Sequence, residues 1–121
     1  MIEPKFKNAQ EYELAQVLMQ PIFIRLLDNI RKESELSNYD VSYEEINEPF
    51  PSYIVAIKKE NKTEKNNVWK LCFQVCFNNY SESTTQPVTT DKTLFEEDGQ
   101  LNWQTLDEKT KTLVKSLFSS N

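Results

Sequence analysis

The sequence predicts an α+β domain: a long kinked N-terminal helix, an antiparallel sheet of three to four strands, and a C-terminal helix packed on the sheet. Three observations predict it. Apolar residues recur at helical spacing over residues 8–33. They alternate at period two over 39–46 and again run together over 53–59. A second helical stripe runs from Leu106 to Phe118. With 121 residues the chain reads as one domain, 1–121. A chain of that size can bury roughly 65–70% of its unfolded surface.

The first helix opens at Asn8, with Glu11 three residues later in the pattern of a capping box. Tyr12, Ala15, Leu18, Met19, Ile22, Phe23, Leu26 and Ile30 then follow at helical spacing. Pro21 lies inside this pattern; it has no N–H and crowds the preceding turn, so a kink or break is expected near Met19–Gln20. Ile22, Phe23, Ile24, Leu26 and Leu27 nearly encircle the second half of the helix. That half is either the central core helix or a place where a partner binds.

Residues 39–46 put Tyr39, Val41 and Tyr43 on one face and Asp40, Ser42 and Glu44 on the other, a half-buried strand. Pro49 and Pro51 cannot donate to a ladder, so EPFPS is a connection or an edge. Residues 53–59 form a second strand, and the polar NKTEKNN, 61–67, suits a hairpin tip. The third strand is then WKLCFQVCF, 69–77. As a strand it puts Trp69, Leu71, Phe73, Val75 and Phe77 on one face; as a helix it leaves Leu71 and Val75 on the far side. The Ser-, Thr- and Asn-rich stretch 78–93 is the candidate mobile loop, with a short edge strand at 88–90 or 93–95. Asp98-Gly99 signals a turn. Thr105 to Glu108 forms a second capping box, opening a helix that ends near Phe118 with Lys109, Lys111 and Lys115 facing water.

The absences exclude several function classes. There is no histidine, which removes histidine-dependent triads and HExxH zinc sites. One glycine cannot build a GxGxxG or P-loop phosphate cradle. A net charge of −5 opposes nucleic acid and anionic membranes, and suits a basic partner. The N-terminus has no secretory pattern, and no apolar run reaches the roughly 18–20 residues of a membrane span. The expected location is therefore cytoplasmic, with no membrane insertion.

Cys72 and Cys76 are the only cysteines. Four residues along a strand span about 13 Å, too far for a disulfide; a helix brings them closer with poor geometry. Two cysteines without histidine do not complete a zinc site. They read as small apolar packing residues, with a reactive thiol as the alternative. The acidic runs Glu44-Glu45, Glu96 to Asp98 and Asp107-Glu108 read as solvated or capping groups, and the lysines of 58–70 as a solvated hairpin.

Taken together, YELAQVLMQPIFIRLLDNIRK, VWKLCFQVCFNNY and DGQLNWQTLDEKTKTLVKSLF resemble small, acidic, uncharacterised proteins of cyanobacteria and algal plastids. The likeness covers most of the chain. It implies a cytosolic or stromal setting; it carries no activity and no functional residue.

The expected function is a non-enzymatic factor that binds another protein in assembly, regulation or chaperoning. No catalytic residue, cofactor or metal is expected. The expected partner or pocket surface is Trp69, Cys72, Gln74, Cys76, Phe23 and Tyr53. One alternative is a redox sensor or enzyme using Cys72 or Cys76. Another is a small-ligand pocket between sheet and helices, lined by Trp69, Phe73 and Tyr53.

Overall fold

The computed structural model describes residues 5–47, 52–81 and 86–119. In chain order they form α1 (Ala9–Leu36), β1 (Asp40–Ile46), β2 (Ser52–Lys59), β3 (Lys62–Asn67), α2 (Val68–Cys76) and α3 (Trp103–Leu117). A single 3-10 turn, Lys92–Leu94, lies before α3. The strands make one antiparallel sheet in the order β1-β2-β3. The α+β class and the long N-terminal and C-terminal helices are as the sequence predicts. The Pro-containing connection at 48–51 lies outside the described residues, as do residues 82–85 of the candidate loop. No described helix is long and apolar enough to cross a membrane.

Asn8 caps α1 by accepting the Glu11 N–H at 3.0 Å. The helix buries Ala15, Leu18, Ile22, Leu26 and Ile30, an unbroken stripe at helical spacing. Each large member contributes about 1.5–3 kcal/mol by leaving water. The helix passes through Pro21 as one element and reaches Leu36. Proline frees the carbonyl four residues back, on Val17. Val17 is exposed, so water can satisfy that oxygen.

Residues 69–77 correct the sequence reading: they are not the third strand but α2 and its C-cap. The Asn67 side chain accepts the Trp69 N–H at 2.9 Å and starts the helix immediately after β3. The objection to a helix was that Leu71 and Val75 would face outward. They do not, because α2 is the middle layer: it packs on β2 and β3 on one side and on α1 and α3 on the other. Val68, Leu71, Cys72, Phe73, Val75 and Cys76 are all buried, as is Phe77 after them. Apart from the side that carries Lys70 and Gln74, α2 is apolar, and a helix apolar over most of its circumference belongs inside. The third strand is instead the polar stretch taken for a hairpin tip. Lys59 pairs with Lys62 across Glu60-Asn61, and the ladder runs to Ile54 opposite Asn67. β3 is an edge strand recruited by pairing with β2, so it needs no apolar alternation.

α3 packs mainly on α1 and α2, behind the layer that covers the sheet. It starts two residues before the expected capping box, with Asn102 accepting the Thr105 N–H at 3.1 Å. Leu106, Thr110, Val114 and Phe118 are its buried stripe. Its C-terminal end meets the sheet: the Phe118 ring stacks on Tyr39, 6.3 Å between centroids. There the buried Lys59 donates to Ser119 O at 2.8 Å and to Glu64 at 3.0 Å. The expected turn at Asp98-Gly99 is present, with Gly99 at φ 89° and donating to Glu96 O.

Candidate functional site

Four rings from four elements form a ladder. Trp69 at the start of α2 stacks on Phe23 of α1, with centroids 4.9 Å apart and planes 18° apart. Phe23 lies 6.0 Å from Tyr53 of β2. Tyr53 stacks on Tyr43 of β1, centroids 5.2 Å and planes 6° apart. The placement follows from strand register: Glu45 pairs with Tyr53 and Tyr43 with Val55, so Tyr43 and Tyr53 are diagonal neighbours on the helix-facing side. Burial, then the neighbouring Tyr53, pushes the Tyr43 phenol above its usual pKa. Tyr43 is nevertheless 38% exposed, because β1 is an edge.

The structure thus brings together Trp69, Phe23 and Tyr53 of the six residues the sequence singled out. Phe23 lies within ring contact of both others, between the two rings expected to line a pocket. Phe73, expected beside them, instead meets Phe77 and Tyr80. Gln74 is exposed on another side of α2, at a groove shared with α3. Cys72 and Cys76 are fully buried and contribute nothing to a surface; a face of Lys70, Cys72, Gln74 and Cys76 existed only for a strand.

Both thiols are free. Burial, then the adjacent Cys76, pushes the Cys72 thiol up to about 12. Burial does the same for Cys76, again to about 12. Lys109 and Lys92 oppose that shift, but each is matched by a carboxylate that reinforces it. Lys109 donates to Asp91 at 2.7 Å, and Lys92 to Glu11 at 2.8 Å. Burial alone would raise the Asp91 carboxyl, but Lys109 and the Thr93 hydroxyl and amide hold it below its usual value. Glu11 is lowered by Lys92 and by the Thr90 N–H it accepts at 3.0 Å. Glu11 therefore does not complete the expected capping box; it ties the segment before α3 to the start of α1. Every buried side-chain polar atom among the described residues has a partner. The arrangement is closed and neutral, the setting of an inert structural cysteine. Among the described residues no group of three or more His, Cys, Asp or Glu could hold a metal ion.

No protein-family model, curated protein or solved structure matches the chain.

Two open grooves flank α3. One, of about 550 Å³, lies over Asp91 and Lys109 and is bordered by Gln74, Thr105, Glu108 and Thr112. The other, of about 450 Å³, lies between α1 and α3, with Ile24 beside Arg25, Asp28, Lys32, Asp107 and Lys111. Arg25 pairs with Asp107 there, and its guanidinium sits 4.5 Å from the centre of the Trp103 ring. Large apolar side chains remain exposed on α1 and β1. Val17 and Ile24 are each 54% exposed, and Ile46 is 40% exposed. Val17 and Ile24 are two turns apart, opposite the buried stripe of α1. Ile24 belongs to the apolar half of α1 where the sequence allowed a partner to bind; Val17, Tyr43, Ile46 and Trp103 are not among the expected surface residues. Spacing alone marks Val17 and Ile24 as off-stripe, whereas the exposure of Tyr43 depends on β1 being an edge.

Proposed function

We propose that this chain is a non-enzymatic factor that binds another protein, in assembly, regulation or chaperoning. One observation carries the reading: α1 presents Val17 and Ile24 to solvent on the face opposite its core stripe, and Ile24 also borders the groove shared with α3. Single exposed apolar residues are common on protein surfaces; here two lie on one line of the same helix face, where a partner can cover both. The sealed thiols weigh against the redox alternative, and Phe23 between Trp69 and Tyr53 weighs against a pocket at those rings. The negative chain suits a basic partner, and a cytosolic or stromal setting goes with its composition and resemblance.

The test is isolation of the tagged chain from its native cell, alongside a Val17→Lys/Ile24→Lys variant shown to fold. A protein that comes with the parent chain and is lost or depleted with the variant supports the reading. Recovery of the parent chain alone, as a monomer, contradicts it.

A further inference from the structure

We infer that the free edge of β1 receives an extended basic segment of another protein, added as a fourth strand beside Tyr43. This rests on the protein-binding reading above and names the chemistry of a partner.

β1 pairs with β2 one-to-one from Asp40 opposite Lys58 to Ile46 opposite Ser52, with no bulge. Among the described residues β2 is its only strand neighbour. On every second residue the N–H and C=O therefore point away from the sheet, a template for a further strand. Edge strands are usually protected by bulges, by brevity or by charged side chains, and the only charges on β1 are acidic, which repel another acidic strand but not a basic one. β1 has seven residues and no lysine, and six of the seven are exposed.

Its side chains select the occupant. Asp40, Glu44 and Glu45 are acidic, and the strand carries no basic residue. Two β1 edges brought together would place three carboxylates from each copy in one interface; Glu44 has Lys65 of β3 at 3.5 Å, but β1 itself brings no positive charge to meet them. A strand with lysine or arginine meets the same edge favourably. Glu44 and Glu45 point to opposite faces, so adjacent basic residues would meet both. Tyr43 shares the face of Glu45 and ends the ring ladder, so the next residue of the partner is apolar or aromatic. Backbone pairing supplies the affinity and these three positions the choice of partner.

The test is amide hydrogen exchange on the full chain with a probe peptide, Thr-Val-Tyr-Lys-Arg-Val-Thr, and a control with Glu for both basic residues. The basic peptide is expected to slow exchange across residues 40–46, and the acidic one to leave it unchanged. Glu44→Lys/Glu45→Lys is expected to weaken binding roughly tenfold. Unchanged exchange in β1, protection confined to α1, or equal binding by the variant would overturn the inference. So would concentration-dependent protection of β1 without peptide, which would make a second copy the occupant. A native partner lost with Val17→Lys/Ile24→Lys but kept by Glu44→Lys/Glu45→Lys would leave the protein-binding reading standing and remove this one.

Discussion

Tyr43 and Tyr53 lie ring on ring across β1 and β2, 5.2 Å between centroids and 6° from parallel. Tyr53 also meets Phe23, which in turn stacks on Trp69. The inner ring has two neighbours and the outer ring one. Tyr53→Ala is therefore expected to cost about 2–4 kcal/mol in stability, and Tyr43→Ala about 1 kcal/mol. Denaturant unfolding of both variants checks the ordering. Equal costs would mean that the ladder does not couple the edge strand to the helices.

The thiols are expected to react with a disulfide reagent only when the chain unfolds, because both are fully buried. Their ordinary pKa is 9.0, and burial raises it to about 12 in the folded protein. A raised folded pKa contributes stability that is complete below the unfolded value and lost as pH rises. Alkaline destabilisation is thus expected between pH 9 and about 12, and it should diminish in Cys72→Ala/Cys76→Ala. Stability measured against pH, with labelling kinetics at each point, decides this.

Asp91 gives the opposite sign. Its carboxyl is held below the ordinary 3.8, chiefly by Lys109 against the cost of burial. Its contribution is present above 3.8 and is lost as pH falls through the lower folded value. Asp91→Asn is expected to cost about 1–2 kcal/mol at neutral pH. Its stability should then fall less steeply with acid than that of the parent chain, as thermal unfolding across the acid range would show.

How far the sequence revealed this molecule differs from element to element. The stripe of α1 was legible because only one face of that helix is buried. β1 and β2 were legible from alternation and a Val/Ile run. α2 was misread because periodicity separates helix from strand cleanly only when a whole face is wet, and α2 is covered everywhere but at the narrow side of Lys70 and Gln74. β3 was missed because an edge strand of Lys, Thr, Glu and Asn shows no period. Trp69, Phe23 and Tyr53, expected as a partner or pocket surface, meet through their rings; Tyr43, at the exposed end, could be found only from the register.

Asn67 marks where β3 passes directly into α2, and its side chain holds the Trp69 N–H. Asn67→Ala is expected to destabilise the fold by about 1 kcal/mol, while Asn67→Asp should be nearly neutral. Chemical denaturation of the two variants distinguishes a cap from simple packing, since only a cap is restored by another acceptor.

On the proposed function the chain binds its partner through the exposed apolar surface of α1 and β1 and not through its thiols. Photo-crosslinking in the native cell tests it most directly, with benzoyl-phenylalanine placed singly at Ile24, at Tyr43 and, as control, at exposed Lys115. A discrete adduct with another protein from Ile24 or Tyr43, absent from Lys115, is the predicted result. No adduct at either position, or the same adducts from all three, would contradict it.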